Sequence, residues 1–453
     1  MTTHHLAFGL YGVRAGTITR TGARVELVYD AAYLRSRQPT PLSLSMPLGS
    51  QPHSARFVNA YLNGLLPDHQ DVRDRWAQQL GLRSGDTLGL IAAIGRDCAG
   101  GAVFAPEDEL DDALHGPGSV DPISEAQVAD RLRSLRADDA AWPNDDEHWS
   151  LAGGQGKFTL TATDDGWGVA RGSMPSTHIV KPGIARIDSQ ALAEHVSMRA
   201  LALAGLDVAP TRFIRFEDQP AIVVTRYDRR IGAGGAVARI HQEDMLQTFA
   251  LMPKRKYEGD GGPGVARIAQ RLRSAVGEDA VDRFVDAVVA NYLLGAPDGH
   301  AKNYSLLLAG PGARFAPLYD VSTGLIPDVA GRLRYRSVAQ SIGGEKRFGE
   351  VEEKHWTRFA DVVGRPPDAI LARVRQMLQT IPAAFADAIS ELSPDLDGRR
   401  LLADVVLPNL QALSEQTDRG LSSSRRIDGR VVVPFLDTIG TPARAADEVW
   451  DRT

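Results

Sequence analysis

The chain has 453 residues, of which 43% are hydrophobic and 24% charged, so it has the composition of a globular protein with room for two or three domain-sized units. Its formal net charge of −6 argues against DNA binding by this chain alone, because non-specific DNA affinity comes from lysine- and arginine-rich surface. No apolar run reaches about 18 residues, the start lacks the pattern of a secretion signal, and the single cysteine, Cys98, excludes an intrachain disulfide. We therefore expect a cytoplasmic protein that makes no membrane contact.

The N-terminal stretch predicts a sheet followed by helices. Residues 6–30 alternate between apolar and polar and are interrupted by glycines, which favours a small antiparallel sheet. Apolar spacing over residues 56–80 predicts helices broken at Pro67, with Asp68 or Asp71 as the N-cap of the second helix.

A less regular stretch follows. Residues 105–124 are acidic and rich in proline and glycine, so they predict a surface connection. Ser124 and Gln127 predict a capping box at the start of the next helix. The polar residues 138–147 then mark a predicted domain boundary.

A glycine-dense turn opens the next region, with the sequence Ser150-Leu-Ala-Gly-Gly-Gln-Gly-Lys157 ahead of an alternating strand. Such a turn lets backbone N–H groups approach phosphate oxygens without a side-chain clash, although glycines are also common in hairpins. It is not a Walker A loop, because Leu151 and Phe158 occupy the diagnostic places of that motif.

Two further strands are predicted at 177–181, which ends in Lys181, and at 220–225. The predicted helix 189–204 between them places Glu194 on a partly apolar stripe. A carboxylate there needs a cation, and Lys181 is the predicted partner. Asp228, Arg229 and Arg230 after the second strand predict a structural ion cluster, and Lys254-Arg-Lys256 predicts a solvated basic face.

The most informative stretch runs from Val281 to Asp320. Apolar residues at helical spacing predict a buried helix that ends at Gly295. The polar loop Asp298-Gly-His-Ala-Lys-Asn303 and a hairpin that ends at Asp320 follow. An aspartate that accepts a hydroxyl proton, with an Asn and an Asp that hold Mg²⁺, is the minimum set of a kinase active site. Single Asp and Asn residues in loops are otherwise turn formers.

These residues carry a resemblance to a known family. Asp298-Gly-His-Ala-Lys-Asn-Tyr-Ser with the downstream Leu318-Tyr-Asp-Val resembles the HipA family, the Ser/Thr kinase toxins of bacterial type II toxin–antitoxin pairs. Further matching stretches, in order, are Pro41-Leu-Ser-Leu-Ser-Met-Pro-Leu48, Asn63-Gly-Leu-Leu-Pro-Asp68, Ile94-Gly-Arg-Asp97, Gln242-Glu-Asp-Met245 with Gln247-Thr-Phe249, and Tyr257-Glu-Gly-Asp-Gly-Gly-Pro-Gly264. The resemblance covers roughly residues 1–410.

The resemblance implies an α+β, bilobal protein-kinase-like fold. We divide the chain into an N-terminal β-rich subdomain (1–145), a kinase N-lobe (146–230), a mostly helical C-lobe with the catalytic loop (231–413) and a C-terminal tail without an assigned role (414–453). Residues 321–349 hold the place of an activation or substrate loop, and helices are expected from Trp356 to Leu413.

The same resemblance assigns roles to residues. Asp298 would be catalytic, with Asn303 and Asp320 holding Mg²⁺ and with Lys302 neutralising charge or serving the structure. Ser150 would be the site of autophosphorylation, which ejects the phosphate loop, or an ordinary loop serine. The remaining ATP-binding positions by resemblance are Ala152, Gly153, Gly154, Gln155, Gly156, Lys157, Lys181, Thr225, Arg226, Tyr227, His300, Lys302, Asn303, Tyr319 and Asp320.

Three of these positions depart from the pattern of the family. Gly156 and Thr225 stand where members often have glutamate, and Tyr227 stands where they often have phenylalanine. The substitution at Gly156 bears on the stiffness of the loop, and the substitution at Thr225 bears on one contact to the nucleotide.

The function implied is phosphorylation of a protein Ser or Thr, with an aminoacyl-tRNA synthetase as target and growth arrest as the consequence. The implied partner is a helix-turn-helix antitoxin of the HipB type, through which alone the protein would reach DNA. A small-molecule kinase and a nucleotide-binding co-repressor without kinase activity remain alternatives.

Overall fold

The computed structural model describes residues 3–138, 141, 149–184, 187, 189–232, 235–328 and 330–422. The chain forms two compact units, of which the first comprises 1–182, 214–256 and 305–316 and the second comprises 183–213, 257–304 and 317–453. In the described part of the chain, every helix is too short or too polar to span a membrane. The four-part domain division drawn from the sequence stays a prediction.

The first unit begins with a five-stranded antiparallel sheet. Its strands in spatial order are His53–Ser54, Arg24–Tyr29, Val13–Thr21, Thr3–Leu10 and Ala102–Pro106. Alternate residues of Arg24–Tyr29 are buried, as expected for a sheet that covers a core on one face. The small sheet predicted over residues 6–30 is confirmed.

Short helices accompany this sheet at Ala31–Leu34, Ala55–Leu65, Gln70–Gln79 and Thr87–Ile94. The predicted break at Pro67 is confirmed, but the N-cap of Gln70–Gln79 is His69, so the predicted cap at Asp68 or Asp71 was wrong. The reason is that the amide of Asp68 donates to the carbonyl of Gly153 (3.1 Å) and its carboxylate pairs with Lys256 (3.3 Å), which keep this residue outside the helix. Asp71 lies in the first helical turn.

The stretch 105–124 was predicted to be a surface connection, and this prediction was wrong. It forms the short helix Leu110–His115 and the strand Gly118–Ile123, which pairs with Gly166–Gly172 at the edge of a second sheet. Because this edge strand buries none of its residues fully, its sequence shows no apolar period. The capping box is confirmed: Ser124 and Gln127 exchange hydrogen bonds at the start of the helix Glu125–Ala137.

The second sheet of the first unit has six strands. Their order is Thr211–Phe216, Gln219–Thr225, His178–Lys181, Phe158–Thr163, Gly166–Gly172 and Gly118–Ile123, and the chain passes from the second unit to the first along Thr211–Phe216. Phe158, Leu160, Val180 and Val223 fill its buried face. The strands predicted at the glycine-dense turn and around Lys181 and Thr225 are confirmed.

A third sheet of the first unit joins His241–Asp244, Ser305–Ala309 and Gly312–Phe315. The predicted hairpin after Tyr304 is thereby confirmed. The strand His241–Asp244 leads directly into the single helical turn Met245–Thr248. Smaller pairings join Arg229–Ile231 with Val237–Arg239 and, in parallel, Asp97–Cys98 with Trp149–Ser150.

The second unit is mostly helical. Its α-helices are Gln190–Leu203, Val265–Ala275, Glu278–Leu293, Glu353–Val363, Pro367–Ser390, Arg399–Leu401 and Leu407–Ser422, with a π-helical segment at Leu402–Val406. The buried helix predicted before Gly295 is confirmed, as are the helices after Trp356, which continue to Ser422. Residues 321–349 include the hairpin Ser337–Ile342 and Glu345–Arg347. The tail prediction from 423 onward lies outside the described residues.

Candidate functional site

The loop that carries Asp298 and Asn303 is set by the end of the helix Glu278–Leu293. Gly295 ends that helix with a φ of +62°, and a side chain there would meet Leu325 at 2.5 Å. The amide of Ala296 then donates back to the carbonyl of Asn291 (2.8 Å). Glycine is therefore required at this turn, which fixes where the polar loop leaves the buried helix.

Asp298 and Asn303 are in direct contact. The side-chain amide of Asn303 donates to the backbone carbonyl of Asp298 at 2.7 Å, across a short 3₁₀ turn formed by Ala301–Asn303. Asn303 is buried, whereas the Asp298 side chain is 22% exposed. This contact orients the Asn303 carbonyl oxygen as an acceptor and leaves the Asp298 carboxylate accessible. The two residues are therefore joined within one loop, and their predicted roles stay predictions.

Two further side chains hold the Asp298 carboxylate. The Tyr257 hydroxyl donates to Oδ1 at 2.6 Å, and Nε2 of His300 lies 3.5 Å from the same oxygen. The Tyr257 ring meets the His300 ring edge-on, with centroids 5.0 Å apart. Tyr257 has no assigned role in the sequence reasoning, although it begins one of the motifs that carry the resemblance.

The buried Tyr335 also interacts electrostatically with Asp298. Burial raises the pKa of Tyr335, and the negative charge of Asp298 raises it further. The Tyr335 phenol therefore stays protonated beside the carboxylate. No sequence signal indicates Tyr335, because it lies in a stretch without periodic apolar residues.

Tyr319 contacts the loop that contains Asp298 and Asn303, and Asp320 follows it in the chain. The Tyr319 hydroxyl donates to the carbonyl of Lys302 at 2.6 Å, and Lys302 itself is buried. Asp320 has a φ of +59°, in the left-handed region that non-glycine residues seldom adopt. Strained backbone of this kind concentrates at functional sites, where the surrounding structure enforces it.

The donor set of this unit fits one kind of metal ion. Within the described ranges no group of three or more His, Cys, Asp or Glu side chains could hold a metal. Asn303 and Asp320 offer amide and carboxylate oxygens, and few protein oxygens suffice only for an ion that keeps waters and substrate phosphates as further ligands. Mg²⁺ has this property, so the residues fit the predicted ion.

The glycine-dense turn of the first unit has a specific internal geometry. Gly153 has a φ of +118°, and a Cβ there would lie 2.4 Å from the Lys157 ammonium nitrogen. That ammonium donates to the carbonyl of Ala152 at 2.6 Å. The side-chain amide nitrogen of Gln155 is buried and has no hydrogen-bond partner in the described part of the chain. The turn thus presents an unused donor, as expected for a loop that binds an anion.

Ser150 precedes this turn and is fully buried. Its hydroxyl donates to the carbonyl of Leu65 at 2.7 Å, and the two residues Trp149–Ser150 pair with Asp97–Cys98. Asp68 also holds the turn, by donating to Gly153. The motif Asn63–Asp68, which carries part of the resemblance, therefore supports the glycine-dense turn through the backbone of its last residue.

The predicted hinge residues form hydrogen bonds within the first unit. Thr225 pairs with His178, and the amide of Arg226 donates to the carbonyl of Thr177 at 2.9 Å. The Tyr227 hydroxyl bonds to the Gln242 side chain. Lys181 is buried at the end of its strand, opposite Ile222.

The predicted ion cluster exists, with a different membership. The Arg226 and Arg229 guanidinium groups pair with Asp97 and Asp228 at 2.8–3.2 Å, and all four side chains are buried. Burial alone would raise the pKa of both carboxyl groups, but the arginines hold each pKa below its usual range. Arg230, which was predicted to be a member, is exposed.

The structure therefore gathers the predicted site residues into two groups. The first unit holds Ser150, the loop Ala152–Lys157, Lys181 and the hinge Thr225–Tyr227, and the second holds Asp298, His300, Lys302, Asn303, Tyr319 and Asp320. Glu194 is buried in the second unit. Its pairing with Lys181 stays a prediction.

Family models and known relatives match this chain over most of its length. The family described as "HipA-like C-terminal domain" matches residues 149–385, and the family "HipA N-terminal domain" matches residues 6–105. The Sinorhizobium fredii protein named "Putative kinase Y4mE" is 32% identical over 375 residues, which are 82% of this chain and 88% of the relative.

Two comparisons concern one organism. The "Serine/threonine-protein kinase toxin HipA" of Shewanella oneidensis is 29% identical over 376 residues, 78% of this chain and 82% of the relative. A solved Shewanella oneidensis structure of HipA with HipB and operator DNA matches with a TM-score of 0.80 at 25% identity, covering 94% of this chain and all of the matched chain. The prediction of an α+β kinase-like fold is thereby confirmed. The chain belongs to the HipA family, as its sequence motifs had indicated.

Proposed function

We propose that this protein is an ATP- and Mg²⁺-dependent serine/threonine protein kinase that acts as the toxin of a type II toxin–antitoxin pair. The observation that carries the proposal is the Asp298 carboxylate, which is held by Tyr257 and His300, while the backbone carbonyl of Asp298 accepts a hydrogen bond from the Asn303 side chain. Kinase relatives at 29–32% identity support the reaction class.

Each residue has a role in this mechanism. Asp298 orients the acceptor hydroxyl and takes its proton as phosphoryl transfer proceeds, and Tyr257 fixes the carboxylate in one rotamer. Asn303 and Asp320 would hold Mg²⁺, and Lys181, His300, Lys302 and the loop Ala152–Lys157 would neutralise and position the phosphates. The bound nucleotide supplies the γ-phosphoryl group, and the ion offsets its charge. The loop amides and Gln155 restrain that group without a proton transfer.

Ser150 offers a way to silence this activity. Its hydroxyl is buried against the carbonyl of Leu65, so a phosphate of about −1.5 to −2 charge has no room there and would have to leave with its loop. The acidic residues Asp145–Glu147, which would add repulsion, lie outside the described residues. Autophosphorylation at Ser150 would therefore disassemble the phosphate loop.

The proposed partners follow from the family. A helix-turn-helix antitoxin of the HipB type would bind this protein and carry it to DNA, in keeping with the Shewanella HipA–HipB–operator complex. The proposed acceptor is an aminoacyl-tRNA synthetase, whose phosphorylation would stall translation.

The test is to incubate the purified protein with Mg²⁺, ATP and a bacterial extract and to identify new phosphopeptides by mass spectrometry. Asp298→Asn serves as the control, since it removes the proton acceptor while changing the volume little. Phosphorylation of a protein Ser or Thr that is absent with the variant supports the proposal. Phosphorylation of small molecules alone, or of nothing while nucleotide still binds, would replace it with one of the two alternatives.

A further inference from the structure

The first unit contains a basic cavity that the proposed kinase chemistry does not use. It has a volume of about 760 Å³, and its lining includes five cations, Arg20, Arg56, Arg73, Lys254 and Arg255. Its size falls within the usual range for small-molecule sites. None of the proposed nucleotide-binding residues lines it.

Four of these cations lack a carboxylate partner. Arg20 pairs with Asp86 at 2.5 Å, but within the described ranges no acidic side chain forms an ion pair with Arg56, Arg73, Lys254 or Arg255. A cluster of like charges raises the free energy of the folded protein unless an anion offsets it. The cavity therefore favours a ligand with more than one negative charge.

Arg73 is the strongest indicator among them. Its guanidinium is half-buried and donates to Oδ1 of Asn63 (2.6 Å) and to the carbonyl of Asp68 (3.2 Å), both uncharged acceptors. Its Nε is buried without any hydrogen-bond partner in the described part of the chain. Burial lowers the pKa of Arg73, and the negative charges of Asp68 and Asp74 offset this only in part, so an anion in the cavity would stabilise the charged guanidinium.

The lining also includes apolar side chains, called here the apolar wall. They are Val25, Leu88, Leu90 and Leu251, with Met252, which is 37% exposed. Basic and apolar side chains in one cavity suit a molecule with phosphate groups at one end and a flat organic group at the other. A long nucleic acid would instead need an extended basic surface, and the net charge of the chain is −6.

We propose that this cavity binds a small molecule bearing a pyrophosphate group, such as a nucleoside diphosphate. Arg73, Lys254 and Arg255 contact the phosphates, and the apolar wall contacts the organic part. The basic triplet Lys254-Arg-Lys256, read from the sequence as a solvated face, divides accordingly: Lys256 pairs with Asp68, while the other two line the cavity.

The cavity also adjoins the phosphate loop through hydrogen bonds within this unit. Asn63 lines the cavity, and Arg73 bonds both Asn63 and Asp68, whose amide in turn holds Gly153. A ligand bound to Arg73 therefore contacts the segment that supports that loop.

The test is calorimetric titration of the full-length protein with inorganic pyrophosphate and with a nucleoside diphosphate, both without Mg²⁺. The titrations use a protein that also carries Lys181→Ala and Asp320→Asn. These substitutions weaken binding at the proposed kinase site, so the measured binding reports on the cavity whether or not the kinase proposal is correct. Adding Lys254→Gln and Arg255→Gln should weaken binding by about tenfold or more, because charge-assisted contacts to phosphate are lost. Arg73→Gln should also weaken binding, but it can disturb folding. The substitutions at the exposed residues Lys254 and Arg255 therefore decide whether the proposal holds.

The matched control is Arg230→Gln, which removes one exposed charge outside the cavity and should leave binding unchanged. Equal affinity for both ligands would assign the site to pyrophosphate groups in general, and tighter binding of the nucleoside diphosphate would assign the apolar wall to its base. Binding that is unaffected by Lys254→Gln and Arg255→Gln, or absent from the start, would overturn the proposal. Binding of a single-stranded RNA but of neither small ligand would overturn it in favour of a nucleic-acid site.

Discussion

The hydroxyl of Tyr257 positions the carboxylate on which the proposed catalysis depends. It donates at 2.6 Å to the carboxylate that is to accept the proton. Hydrogen bonds to charged groups contribute about 1.5–3 kcal/mol, which corresponds to roughly tenfold or more in rate when the bond positions a reacting group.

We predict that Tyr257→Phe lowers kcat for phosphoryl transfer by about tenfold and leaves the KM for ATP nearly unchanged. The measurement is steady-state kinetics with a phosphorylatable protein. Tyr33→Phe, which removes a buried hydroxyl bonded to Thr40 in the first unit, is the control for general destabilisation. A Tyr257→Phe variant with wild-type kcat would show that the bond does not position the carboxylate.

Gly153 is the second residue-scale test. Its φ of +118° and the 2.4 Å approach of a Cβ to the Lys157 ammonium both oppose any side chain. We predict that Gly153→Ala weakens nucleotide binding by about tenfold, since a side chain strains the backbone at this φ and displaces the Lys157 ammonium from the carbonyl of Ala152. Gly166→Ala is the matched control, because Gly166 also has a positive φ, of +134°, but nothing lies within 4 Å of its Cβ. Equal effects of the two substitutions on nucleotide binding would contradict the role of the loop.

Among the elements, the buried ion cluster ties the Asp97–Cys98 strand to the strand that begins at Arg229. Asp97 receives Arg226, Arg229 and the Ser176 hydroxyl. Removing one member of a buried pair leaves the others uncompensated, and the cost is about 3–5 kcal/mol.

We therefore predict that Asp97→Ala lowers the free energy of unfolding by about 3–5 kcal/mol, measured by chemical denaturation. The control is Glu26→Ala, which removes the partner of the exposed Arg24 and should change stability far less, because water screens an exposed ion pair. A small effect of Asp97→Ala would mean that water replaces the lost carboxylate.

Sequence periodicity predicted most elements of this fold, and the failures have physical causes. The buried helix before Gly295 and the hairpin after Tyr304 follow from apolar spacing, since both bury one face. The edge strand Gly118–Ile123 gave no such signal, because it packs through its backbone and leaves its side chains at the surface. Local cap rules likewise failed at Asp68, because tertiary contacts with Gly153 and Lys256 hold it.

Some residues of the candidate site could be predicted from the sequence, and others could not. Asp298, Asn303 and Asp320 could be found from the spacing of polar residues around a helix and a hairpin. Tyr335 and the carbonyl of Leu65 could not, because their roles come from chain folding and leave no local pattern. The Arg226 side chain, placed by resemblance at the hinge, pairs in the structure with Asp97, which is distant in sequence.

At the scale of the whole molecule, stability should carry a pH signature from Glu243. Burial raises the pKa of this carboxyl from about 4.5 to about 7, although Ser43 and the amide of Leu44 donate to it. Between these pH values the unfolded chain loses the proton while the folded protein keeps it. Stability contributed by Glu243 is therefore present below pH 4.5 and is lost as the pH rises to 7, by roughly 3 kcal/mol.

We predict that Glu243→Gln removes this loss, so the variant gains stability relative to the wild type between pH 5 and pH 7.5. The measurement is denaturant unfolding of both proteins at the two pH values. His195 and His241, whose pKa burial lowers to about 4, act in the opposite sense in both proteins, so the difference between the proteins isolates Glu243. A pH-independent difference would contradict the raised pKa.

The proposed function depends on phosphoryl transfer directed by Asp298. The most direct measurement is intact and peptide mass analysis of the purified protein after incubation with Mg²⁺ and ATP, with Asp298→Asn alongside. We predict one added phosphate on the peptide that contains Ser150 in the wild type and none in the variant. An unmodified wild-type protein that still binds nucleotide, or equal phosphorylation of the two proteins, would contradict the account.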